Sequence, residues 1–107
     1  MKFVVNGKEY NSVPMDFNTV CTLEDMGIGL NDYGRKGTNL MRAYFSICAN
    51  LSVTEAGKEI EQHVISGGTL DEFQKVFENE AENSDFFQAL NKKQDEEAPQ
   101  VETEKKK

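Results

Sequence analysis

The chain of 107 residues has no tryptophan, two cysteines, two prolines and a single histidine. Each scarcity removes a class of function. One histidine, His63, leaves no partner for a His-based metal cluster or a proton relay; its own helix offers only Glu59, four residues earlier. Cys21 and Cys48 lie in apolar helical patterns and form no CxxC, so they read as two buried free thiols. No stretch approaches the ~20 consecutive apolar residues of a membrane span. Lys2-Phe3-Val4-Val5 turns polar at once, unlike a signal peptide, so the expected location is cytoplasmic. Gly-x-Ser-x-Gly, His-Glu-x-x-His and calcium-loop patterns are all missing. Gly29, Gly34 and Gly37 fit neither phosphate-binding glycine pattern. Glu24-Asp25 and Asp71-Glu72 are adjacent, so on helices they diverge rather than form a catalytic dyad. These features argue against an enzyme, and no cofactor is expected.

Basic residues are also few. The net charge is −7, and all of the imbalance lies in residues 55–90, where nine acidic groups face Lys58 and Lys75. A surface of that sign repels phosphate backbones, so nucleic acid is not an expected partner. It suits solubility or a basic protein partner.

What the chain does have is enough apolar residues for one modest core: 37% hydrophobic, with seven Phe and three Tyr. Phe3-Val4-Val5, Asn6-Gly7 and Lys8-Glu9-Tyr10 predict a β-hairpin over about residues 2–14, because Asn and Gly both accept the positive φ of a type I′ turn. Pro14 should end the second strand or lie on an edge. Two strands alone are barely stable, so the hairpin must pack on a helix or join another chain's sheet.

Asp16 is placed to cap a first helix bearing Phe17, Val20, Cys21 and Leu23, closed by Gly27, with Ile28 packing back. Residues 29–38 read as a loop. Thr38 or Asn39 should cap a second helix to about Ala49, with Leu40, Tyr44, Ile47, Cys48 and Leu51 on one face and Met41 and Phe45 beside it. Ser52 and Glu55 form a capping box before a third helix with Ala56, Ile60 and Val64 inward, and Gly67-Gly68 ends it. Thr69-Leu70-Asp71-Glu72 repeats the box and opens a fourth helix lined by Leu70, Phe73, Val76, Phe77 and Ala81. Asn83-Ser84-Asp85 either breaks that helix, restarting a short one with Phe86, Phe87 and Leu90, or continues it; the pattern admits both.

The expected fold is therefore α+β and mostly α, an N-terminal β-hairpin packed on a bundle of four to five short helices. Residues 1–93 form a single domain, and residues 94–107, with Val101 as the only large apolar side chain, a disordered charged tail. The consecutive pairs Tyr44-Phe45 and Phe86-Phe87 cannot both face one core direction on a helix. Either a second layer such as the hairpin covers the outer member, or that member belongs to a protein-binding patch.

The order of these features resembles a family, the tail assembly chaperones of long-tailed (siphovirus-type) bacteriophages and prophages. The resemblance is carried by Asn6-Gly7-Lys8-Glu9-Tyr10, by Asp16-Phe17-Asn18 leading to Leu23-Glu24 and Gly27, by Met41-Arg42-Ala43-Tyr44, and by Ser52 to Glu61 with Glu55-Ala56-Gly57. It spans roughly residues 2–90 as many weak positions rather than one motif. It implies a protein that binds the tape measure protein, keeps it soluble, helps recruit tail tube subunits and is absent from the mature virion. It also implies homo-oligomerisation, residence in the host bacterial cytoplasm, and no membrane partner. Met41, Phe45, Phe86 and Phe87 would supply apolar grip on such a client, and Glu78, Glu80 and Glu82 would favour its basic stretches. The alternative is a small acidic inhibitor or adaptor that mimics nucleic acid or binds a basic protein.

Overall fold

The computed structural model describes residues 1–92; the expected disordered tail over 94–107 lies outside them. Strands β1 (Lys2–Val5) and β2 (Lys8–Asn11) pair antiparallel, with Phe3 opposite Tyr10 and Val5 opposite Lys8. That register leaves only Asn6 and Gly7 in the turn, at φ 52° and 79°, as the type I′ reading requires. The strand alternation puts Phe3 and Val5 in the core and Val4 outside.

Asp16 caps helix α1 (Phe17–Asp25), its Oδ1 accepting from Thr19 N at 2.9 Å. The helix stops at a Schellman turn. Gly27 takes φ 91°, its amide donates to Glu24 O, and Ile28 N donates to Leu23 O, both at 2.9 Å. Ile28 is then buried, as expected. Val20 and Leu23 face inward, but Phe17, expected in the same stripe, is 58% exposed.

The loop that follows is organised by one carboxylate. Asp32 closes a 3-10 turn (Leu30–Asp32), accepts from Gly29 N at 3.0 Å and pairs with Arg35 and Lys36. The Arg35 guanidinium and the Gly29 amide hold its carboxyl below the usual carboxylate value. Helix α2 (Gly37–Ala49) starts earlier than the sequence suggested. Neither Thr38 nor Asn39 caps it; Lys36 occupies the cap position without a side-chain bond, because the Asp32 turn already feeds the backbone into the helix. Asn50, in the left-handed region at φ 57°, ends it.

The capping box at Ser52 and Glu55 is formed and opens α3 (Val53–Ile65). This helix buries Ala56 fully and Ile60 partly, but Val64, expected inward, is 49% exposed. The second box is not formed. Leu70 holds the cap position of α4 (Asp71–Glu82), and Thr69 Oγ1 reaches only Asp71 N, at 3.4 Å. The Thr69 backbone carbonyl is engaged instead by His63 Nε2 at 2.9 Å, and that contact fixes the turn in a different geometry. After α4 the chain breaks at Asn83 and Ser84 and restarts as α5 (85–92). Ser84 decides the break: its Oγ accepts from Phe87 N and donates to Met15 O at 2.6 Å, tying the new helix to the chain that leaves the hairpin.

The core lies between the hairpin, α2 and α4. Phe3 meets Phe73 at 4.7 Å and Tyr10 meets Phe45 at 5.0 Å between ring centroids. On the other side of α2, Tyr44 meets Phe77 at 5.0 Å. The Tyr44-Phe45 pair is thus buried in full by two layers, with the hairpin over Phe45 and α4 over Tyr44. The Tyr44 hydroxyl donates to Val13 O at 2.6 Å, which satisfies its polar end inside the core.

Candidate protein-binding groove

Helix α3 packs against α2 with Gly57 at the crossing. A Cβ there would lie 3.2 Å from Arg42 Cδ, so the missing side chain lets the Arg42 stem lie across α3. Beside this crossing a hollow of about 490 Å³ opens, floored by Met41, Ile60 and Leu70 and rimmed by Arg42, Lys58 and Glu61. A second hollow, of about 340 Å³, runs between α2 and α4 against Tyr33, Phe77 and Glu78. Thr38, Met41 and Leu70 belong to both walls. The two adjoin along α2 at these three residues, lined by apolar side chains and by charges of both signs.

Tyr33 joins this groove to a second apolar feature. Its ring lies 6.1 Å from Phe77 and 6.4 Å from Phe87. Phe87 lies against Phe86 at 5.5 Å, and Phe86 against the exposed Phe17 at 5.4 Å. The Tyr33 hydroxyl is buried and has no protein partner among the described residues. Burial, helped by the nearby Glu24 carboxylate, pushes its ionisation up to about 12.

The seven residues singled out in the sequence separate into three groups. Met41 and Glu78 line the groove, and Glu82, exposed, sits one turn beyond Glu78. Phe86 and Phe87 are half-buried in the aromatic cluster. Phe45 and Glu80 are not available to a partner. Phe45 is wholly inside the core. Glu80 points away from Glu78 and Glu82, because alternate residues on a helix face nearly opposite directions. It accepts from the Ser12 hydroxyl and lies 3.7 Å from the Met1 ammonium, with 17% of its side chain exposed.

Sequence reasoning missed the groove's other walls, Arg42, Lys58, Ile60 and Leu70. A signal existed at Gly57, since a glycine within a helix costs about 1 kcal/mol against alanine and calls for a packing reason. Phe17 was missed as a surface residue because a helical stripe was expected to carry it inward. Cys48 is half-buried near the Tyr44 hydroxyl, and burial raises its thiol above the usual range; Cys21 is also free and half-buried. Among the described residues no group of three His, Cys, Asp or Glu side chains is placed to hold a metal, and no helix is long and apolar enough to cross a membrane.

Comparison with protein-family models, with curated proteins and with solved structures finds no match. The groove is therefore read from its own chemistry. Met41, Leu70 and Ile60 can receive apolar side chains from an amphipathic segment, while Arg42, Lys58, Glu61 and Glu78 stand where that segment's polar flanks would lie.

Proposed function

We propose that the protein is a tail assembly chaperone of a long-tailed phage or prophage, holding a helical segment of the tape measure protein in the α2–α3–α4 groove. The observation that carries this reading is the pair of adjoining hollows lined by Met41, Ile60 and Leu70 together with side chains of both charge signs. A long helical client presents apolar side chains at three- and four-residue spacing, and such a groove receives them while its charged rim fixes orientation. Methionine in the floor adapts to successive, non-identical client segments. The resemblance of residues 2–90 to the chaperone family supports the same reading. It extends it to recruitment of tail tube subunits, homo-oligomerisation, action in the host cytoplasm and departure before the virion is complete.

The test is co-expression with a tape measure protein, reading the client's soluble fraction and co-elution of the two chains. Ile60→Asp and Leu70→Asp place carboxylates in the groove floor and should lower co-elution at least tenfold, with the helical circular dichroism retained. Full co-elution with both variants would remove the groove from the function. Failure of the parent protein to retain any tape measure segment would remove the chaperone reading itself.

A further inference from the structure

Asn6 is the only one of nine asparagines followed by glycine. In such a pair the glycine amide nitrogen can attack the asparagine Cγ. The C–N bond to the side-chain nitrogen breaks, ammonia leaves, and the five-membered imide that forms is opened by water to aspartate or isoaspartate. Gly7 is exposed, and a Cβ built on it would meet nothing within 4 Å, so no side chain crowds the residue that carries the nucleophile on that side. What restrains the reaction is the turn. With Asn6 at φ 52° in a type I′ turn, ψ is also positive and the Gly7 nitrogen is swung away from Cγ. Cyclisation requires Asn6 to leave this conformation.

Helix α3 holds it there. Asn6 N donates to His63 Nδ1 at 2.9 Å, and Asn6 Nδ2 donates to Glu59 Oε1 at 3.0 Å. A ring nitrogen that accepts an amide hydrogen carries none itself, so His63 is the neutral Nε2–H tautomer and donates to Thr69 O at 2.9 Å. Gly68 packs directly against the ring. The backbone and the carboxamide of Asn6 are thus latched separately, by two side chains one turn apart.

We propose that Asn6-Gly7 is a deamidation site gated by the His63–Glu59 latch, and that the reaction prevents the latch from closing again. The carboxylate formed at position 6 has no hydrogen to give Glu59 and sets two like charges at hydrogen-bond distance. The isoaspartate product also adds a backbone carbon to a turn whose length fixes the strand register. The hairpin tip then separates from α3 while Phe3 and Val5 still anchor its base.

The experiment incubates the full-length protein at mildly alkaline pH and follows each asparagine by peptide mass mapping, reading the replacement of NH2 by OH. His63→Ala and Glu59→Ala, each checked for retained helical circular dichroism, should speed conversion of Asn6 roughly three- to tenfold, the factor for one lost hydrogen bond. Asn11 and Asn83, outside the latch, should keep their parent rates. Independently, N6D should lower the melting temperature, and E59Q in that background should restore part of the loss. Unchanged Asn6 rates in both alanine variants, or an N6D protein as stable as its parent, would overturn the proposal.

Discussion

A methyl group at position 68 has nowhere to go. A Cβ on Gly68 would lie 2.5 Å from His63 Nε2, so Gly68→Ala must expel the imidazole and break its bonds to Asn6 and Thr69. The expected loss is about 1–3 kcal/mol, measured as a shift in denaturant midpoint. Adding His63→Ala to that variant should cost little more, since the same bonds are already gone; additive losses would show that the ring keeps its contacts. Besides the raised Cys48 thiol, tyrosines 33 and 44 lower stability at alkaline pH. Burial raises both above the ordinary 10.0, Tyr33 to about 12. Between those values the unfolded chain releases the phenolic proton and the folded chain keeps it, so stability falls as pH rises. Stability against pH should therefore bend downward above about 10, and the bend should weaken in Tyr33→Phe.

At the level of elements, two similar sequences behave differently. Ser52-Val53-Thr54-Glu55 closes a capping box at the start of α3, whereas Thr69-Leu70-Asp71-Glu72 does not close one at the start of α4. Ser52→Ala should cost about 1 kcal/mol, and Thr69→Ala no more than about 0.5 kcal/mol. Equal losses in thermal unfolding would mean that Thr69 caps α4 after all. The hairpin is fixed more firmly. Its two-residue turn, the β-branched strand and the positive φ at Asn6 and Gly7 all favour one register. Local chemistry at 69–72 loses because the His63 contact to the Thr69 carbonyl, which comes from another turn of chain, fixes the backbone there.

Across the whole molecule the charged residues of α4 split by direction. Glu78 and Glu82 face solvent beside the groove, while Glu80 secures Ser12 at the base of the hairpin. On the proposed function, Glu78→Lys with Glu82→Lys should weaken binding of basic client segments, with the effect shrinking at high salt, and leave the melting temperature nearly unchanged. Glu80→Lys should instead lower the melting temperature. A salt-independent loss in the first pair would point to lost packing rather than charge. Phe45→Ala belongs with Glu80: deleting a fully buried ring costs about 3–5 kcal/mol, so it reports on the core and not on any partner.

Hairpin, the first four helices, the Asp16 and Ser52 caps and the Gly27 stop were legible from the sequence, because each depends on residues within a few positions of one another, whereas the break before the fifth helix rests on the bond of Ser84 to Met15, far away in the chain. So was the burial of Phe73, Val76 and Phe77, which follows from helical spacing. The groove, the aromatic cluster of Phe17, Phe86 and Phe87, and the latch between Asn6 and α3 were decided only in the tertiary structure. They join residues far apart in the chain, and periodicity can say that a helix has an apolar face without saying which neighbour covers it. Phe45 shows the difference: its position beside Tyr44 left a hairpin cover and a protein-binding patch both open, and the hairpin, by packing over it, made it core.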